Sequence, residues 1–154
     1  MALFHSSYVR GGERVPAPQW AGDVVAVRFE YTLPTAEQIT GNIIELGVLP
    51  AYARPIDAVL DSDALAASAL VLDVGIMSGD VGEALDEVGA ARTSGDELFD
   101  GITTGVAGGV VRPTLAKAFR VAPAAKDRSI GLKIATQGVT PAEGKIGLTV
   151  FYGT

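Results

Sequence analysis

The stretch Ala69-Leu70-Val71-Leu72-Asp73-Val74-Gly75-Ile76-Met77 decides how the rest of the chain is read. Leu70, Leu72, Val74 and Ile76 fall on one side of an extended backbone, and Asp73 and Gly75 on the other, because successive side chains of a strand point to opposite faces. Ser78-Gly79-Asp80 follows as turn chemistry and ends the strand. Toward the N-terminus the same period of two recurs. Residues 23–32 set Val25, Val27, Phe29 and Tyr31 against Val24, Ala26, Arg28, Glu30 and Thr32, and Leu33-Pro34 ends the run. Residues 42–46 read as a strand closed by Gly47 and Pro50, and residues 55–61 alternate Ile56, Ala58 and Leu60 with Asp57, Val59 and Asp61.

Toward the C-terminus, residues 115–121 alternate Phe119 and Val121 with Ala118 and Arg120. Residues 128–136 set Ile130, Leu132 and Ile134 against Ser129, Gly131 and Lys133, and residues 145–152 set Ile146, Leu148, Val150 and Tyr152 against Lys145, Gly147, Thr149 and Phe151. Gly138, Pro141 and Gly144 lie between these last two strands, which predicts an antiparallel hairpin. Near residues 80–104 the period changes. Val81, Ala84, Leu85 and Val88 recur at helical spacing, although Gly82 and Gly89 each weaken a helix by about 1 kcal/mol relative to Ala. A long excursion between strands is the alternative reading. A second helical turn is expected over Glu97-Leu98-Phe99, capped by Ser94 or Asp96, and Gly105, Gly108 and Gly109 mark an irregular connection. Seven or eight strands without regular helical crossovers predict an all-β antiparallel β-sandwich, jelly-roll-like if the strands form two Greek keys.

Length and composition agree with one such domain. The chain has 154 residues, 48% of them hydrophobic and 19% charged, which is the profile of a folded chain with a core. With no Cys and a single His, His5, the sequence excludes thiol nucleophiles, disulfide frameworks, zinc clusters and multi-histidine metal sites. No catalytic residue, cofactor or metal ligand is assigned. Asp61-Ser62-Asp63 lacks the rest of a calcium loop, and Gly105 to Val110 lacks the lysine of a phosphate loop. The longest stretch without a charge, from Gly101 to Val111, is too short and too rich in glycine for a membrane span, and the first ten residues do not read as a signal peptide.

The net charge of −6 is unevenly spread. Residues 1–79 carry −5, residues 80–100 carry −6 with Arg92 as their one base, and residues 101–154 carry +5. An acidic front and a basic back either pair within one molecule or steer copies head to tail. The late bases are scattered singly, which disfavours a nucleic-acid partner. Residues 1–21 differ from the remainder: His5 to Arg10 is expected as an edge strand, and the Gly/Pro-punctuated segment after it ends at the lone Trp20. The reading divides the chain into an extended N-terminal arm (1–21) and a single β-sandwich domain (22–154). Arg10, Arg14 and Trp20 are the candidate partner contacts, tryptophan and arginine being enriched where interfaces carry their energy.

Four segments carry a family resemblance: Gly41 to Pro50, Ala69 to Gly75, Phe99 to Gly105 with Gly108-Gly109, and Gly144 to Tyr152. In their order and texture, over residues 38–154, the chain resembles the capsid decoration, or cement, proteins of tailed bacteriophages. The resemblance implies a jelly-roll-like virion protein on the capsid surface, made in the host cytoplasm. It implies a homotrimer contacting the major capsid protein and stabilising the shell, with no catalytic residue to carry over. A tail or head-fibre component, a carbohydrate-binding module and a hydrolase with an unrecognised acid pair are the competing readings.

Overall fold

The computed structural model describes residues 1–12, 15–16, 20 and 22–154. Its strands are β1 (Leu3–His5), β2 (Val25–Leu33), β3 (Ile43–Leu49), β4 (Arg54–Ser62), β5 (Ala66–Ser68), β6 (Val71–Ile76), β7 (Phe99–Ile102), β8 (Gly109–Val111), β9 (Arg128–Thr136), β10 (Val139–Pro141) and β11 (Gly144–Gly153). One α-helical turn, α1 (Thr104–Ala107), precedes β8. The strands form a four-stranded sheet in the order β2-β11-β4-β8, a five-stranded sheet in the order β1-β3-β9-β6-β7, and a small β10-β5 ladder. Without β1 and the small ladder, successive strands pass between two four-stranded sheets in the jelly-roll order, as expected of an all-β sandwich.

The inward rows meet in one core. Phe29, Leu60, Leu148 and Val150 of the first sheet and Leu46, Leu72, Val74, Leu132 and Ile134 of the second are all buried. Burial of a Leu, Val or Phe side chain contributes about 1.5–3 kcal/mol, so these alternating rows account for the sandwich without any helix in the core. Residues 25–33 keep the predicted faces, with Val27, Phe29 and Leu33 buried and Arg28 and Glu30 exposed. In β4 the phase slips. Phe151 pairs with Asp57 and Tyr152 with Pro55, so Ile56 is the extra residue of a bulge and is 44% exposed, while Pro55 takes the inward place.

Four expectations are corrected. Residues 115–121 are not a strand: they contain a 3-10 turn at Ala116–Phe119, beyond Pro113, where the chain leaves β8 to cross to β9 in the other sheet. No helix runs through residues 81–88, because Gly79, Gly82 and Gly89 all adopt positive φ and break its course, and Leu85 and Val88 are exposed. Glu97-Leu98-Phe99 leads into β7 instead, so the helical turn is α1, at the far end of the expected 80–104 window. Finally, β9 and β11 are not a hairpin. Each buries its apolar row on the core from opposite sides, and the connection between them pairs with β5.

Candidate interaction surface

The outer face of the β1-β3-β9-β6-β7 sheet is covered by residues 77–98. Gly131 and Gly75 stand opposite one another in β9 and β6. A Cβ on Gly131 would lie 2.6 Å from Ser94 Oγ, and one on Gly75 would lie 2.4 Å from the carbonyl carbon of Gly95. Two glycines in register therefore leave the backbone of residues 94–97 room to lie directly on the sheet. Beside them Glu45 and Arg92 are both fully buried. Arg92 Nη1 donates to Glu45 Oε1 at 2.9 Å, Nη2 donates to Ser129 Oγ at 2.8 Å, and Nε donates to the Ser78 carbonyl. Glu45 Oε1 also accepts from the Gly82 N–H and the Ser129 hydroxyl, while His5 Nδ1 donates to Oε2 at 2.5 Å. Burial pushes the Glu45 carboxyl up, but Ser129, Gly82 and Arg92 together outweigh it and hold the carboxyl below its ordinary range. His5 is thus a fixed structural donor on β1 and joins the N-terminus to the pin that secures the excursion.

This pin was visible only as an oddity. Arg92 is the one base among seven acids in residues 80–100, and Glu45 is the one charge in an apolar strand. The acids around Arg92 are also engaged: Lys126 meets Asp80 and Glu87, and Lys117 meets Asp96 and Asp100. Lys133 lies near Asp73, Lys145 pairs with Glu30 and Arg112 with Asp57. The acidic front and the basic back therefore meet within one molecule, and the charge polarity along the sequence is largely consumed by folding.

The outer face of the β2-β11-β4-β8 sheet is open. Arg28 reaches across β11, over Gly147, and donates to both oxygens of Asp61 on β4. A side chain at Gly147 would meet the guanidinium, so the glycine is what lets this clamp span three strands. Lys145 beside Glu30 holds that carboxyl below its usual range.

The exposed aromatic residues gather at one end of the sandwich, where β2 begins, β3 turns into β4, and the chain passes from β8 to β9. Trp20 is 72% exposed, Tyr52 64% and Phe119 55%. Of the contacts expected from sequence, Trp20 lies at this end, its N–H bonded to Asp23 Oδ2, and Arg10 is exposed in the turn after β1. Arg14 lies outside the described residues. The segment before Trp20 touches the sandwich at several points. β1 pairs in parallel with β3 over Leu3–His5 rather than over residues 5–10, Tyr8 meets Phe29 edge to face, and Tyr152 donates its hydroxyl to the Pro16 carbonyl.

A chain from the capsid of Ralstonia phage GP4 is 45% identical, covers 99% of this chain and 97% of its own length, and superposes with a TM-score of 0.91. The chain belongs to that phage capsid-associated protein family. Two further capsid structures match at the level of the fold. A chain of the cyanophage Pam1 capsid asymmetric unit is 19% identical over 93% of this chain and 94% of that one, with a TM-score of 0.55. A chain of the acidic stable capsid of Helicobacter pylori bacteriophage KHP30 is 13% identical over 88% and 90%, also with a TM-score of 0.55. No protein-family model and no curated protein matched the sequence.

Proposed function

We propose that the chain is a non-enzymatic structural protein of the phage virion that decorates the capsid surface and stabilises the shell through subunit contacts. The observation that carries this reading is the near full-length match, at 45% identity, to a chain from the capsid of Ralstonia phage GP4. The molecule's own features support it. Its charged clusters close on themselves through ion pairs and backbone donors, and its exposed aromatic residues are concentrated at one end. Such features suit a protein whose work is contact.

In this proposal the chain is made in the host cytoplasm and binds the major capsid protein as a homotrimer. The proposal keeps the division into an arm (1–21) and a sandwich (22–154) and takes Arg10, Arg14 and Trp20 as the candidate contacts with the neighbour. Co-sedimentation with empty shells of the cognate capsid protein tests the reading: the purified chain pellets with the shells, and light scattering gives the mass of a trimer. Truncating residues 1–21 also removes β1 and His5, so the cleaner variants are Trp20→Ala and the pair Arg10→Ala, Arg14→Ala, which keep the fold and weaken shell binding. A chain that stays in the supernatant at saturating shell concentration would refute the proposal.

A further inference from the structure

Beside the exposed aromatic residues the same end of the sandwich contains a cavity of about 430 Å³, into which Lys117, Arg120 and Arg128 bring positive charge and Glu97 the one carboxylate. The charges are not equally occupied. Lys117 is held by Asp96 and Asp100, both at 2.9 Å, and Glu97 Oε2 accepts the Ile76 N–H at 2.9 Å. Arg120 has no ion-pair partner among the described residues. Arg128 donates from Nη1 to the Ala122 carbonyl and from Nη2 to the Ala53 carbonyl, and its Nε–H is buried without a partner. Two guanidinium groups thus line a cavity without a carboxylate bonded to either.

The turn between β3 and β4, joined to the cavity through Arg128, carries a second, independent observation. Tyr52 has φ of 62°, in the left-handed region that a bulky side chain rarely adopts, and yet the side chain stands out into solvent. The surrounding turn is fixed to the segment between β8 and β9 and to one lining residue of the cavity: the Tyr52 N–H donates to the Ala124 carbonyl at 2.7 Å, the Ala51 N–H donates to Asp127 at 2.8 Å, and the neighbouring Ala53 carbonyl receives Arg128. Backbone held in a strained region at an exposed position collects at binding sites, where the surroundings enforce it. Phe119, adjacent to Arg120 in the chain, presents a second exposed ring. Exposed aromatic and arginine side chains around a concave basic floor have the composition of an interface centre.

We infer that this cavity is the receptor for a carboxylate on an acidic segment of a partner protein, with Arg120 and Arg128 meeting the charge and Tyr52 and Phe119 flanking the segment. Arginine suits this task, since its planar fork matches a carboxylate in two parallel hydrogen bonds. Burial works against the charged form of the Arg128 guanidinium, and the charge of Glu97 offsets only part of that effect. An incoming carboxylate supplies the missing counter-charge. The inference rests on the proposal that the chain works by contact with a capsid, and it names the chemistry that the contact reads.

The test is a titration of the full chain with a capped hexaglutamate peptide, followed by NMR through the side-chain Nε–H resonances of Arg120 and Arg128 and the backbone amides of residues 119–124. Saturable shifts of these resonances are expected. Arg120→Glu, at an exposed position, lowers the affinity by about tenfold or more while the fold is retained. Tyr52→Gly, which relieves the positive φ, keeps the chain folded and also weakens binding, which a merely structural tyrosine would not do. Absence of saturation, an unchanged affinity in Arg120→Glu, or equal saturation by inorganic phosphate would overturn the assignment. Shell co-sedimentation separates the two levels. If the wild-type chain pellets and Arg120→Glu pellets equally well, only this surface is excluded, whereas failure of the wild type to bind shells refutes the function and leaves the peptide titration to decide the cavity.

Discussion

The two outer faces of the sandwich handle charge in opposite ways. Over the β1-β3-β9-β6-β7 sheet, residues 77–98 form a roof, and the pair beneath it, Glu45 and Arg92, has no exposure. Over the β2-β11-β4-β8 sheet there is no roof, and the pairs Arg28–Asp61 and Glu30–Lys145 remain open to water, with Arg28 44% exposed. A pair left in water contributes little because solvent screens it and long side chains lose freedom in forming it. A pair stripped of water is not strongly stabilising in itself, yet removing one partner strands the other at high cost. The roofed face is therefore where a charge change unfolds the protein, and the open face is where the protein tolerates change.

That contrast can be broken at several points. The largest expected effect is Arg92→Ala, which leaves Glu45 buried with an unanswered charge and costs about 3–5 kcal/mol in a denaturant melt. Replacing both partners, Arg92→Met with Glu45→Leu, recovers much of this loss, because the requirement is for matched partners rather than for charge. Next in size is Gly131→Val, whose new side chain enters the space of Ser94 and Met77. It costs about 1–3 kcal/mol, and hydrogen exchange quickens in residues 93–97 while the open sheet is unaffected.

The third effect concerns acid. The fold holds the Glu45 carboxyl below its ordinary value, so the unfolded chain takes up that proton first as pH falls. The stabilisation is complete above the unfolded carboxylate range and is lost as pH drops through that range toward the folded value. Melts across acid pH show this slope in the wild type and a reduced slope in Glu45→Gln, which starts from lower stability. The smallest effect is Arg28→Ala. Although it breaks a two-pronged clamp, that side chain is nearly half in water, and the loss stays within about 1 kcal/mol. A loss as large as that of Arg92→Ala would erase the distinction between the two faces.

The strands were legible where one face meets the core and the other meets solvent, as in residues 25–33 and 71–76, because there the period of two is a direct record of burial. Legibility failed where tertiary contacts replace that record. All of β3 is buried, core on one side and roof on the other, so the role of Glu45 had no alternation to mark it. The excursion has helical spacing but glycines at positive φ, and its course is set by Arg92, forty-seven positions from its carboxylate partner. Gly75 and Gly131 were the readable hint, since glycine inside a strand marks a close backbone approach. The β9–β11 hairpin failed for a different reason: adjacency in sequence carries no information about which sheet a strand joins. For the candidate contacts, composition pointed to Trp20, but Tyr52 and Phe119 become neighbours of the same end only through the turn between sheets.

The acidic and basic parts of the chain, which invited a head-to-tail assembly, are joined instead within the molecule through Lys117 and Lys126. The partner surface proposed for the chain is the end of the sandwich where Trp20, Tyr52 and Phe119 are exposed. The most direct test of a shell-stabilising role is the temperature at which empty cognate capsid shells rupture, followed by light scattering with and without the purified chain. Binding to the shells is expected, with a higher rupture temperature that returns to the undecorated value when the chain is stripped off. Shells that bind the chain yet rupture at an unchanged temperature would contradict that role.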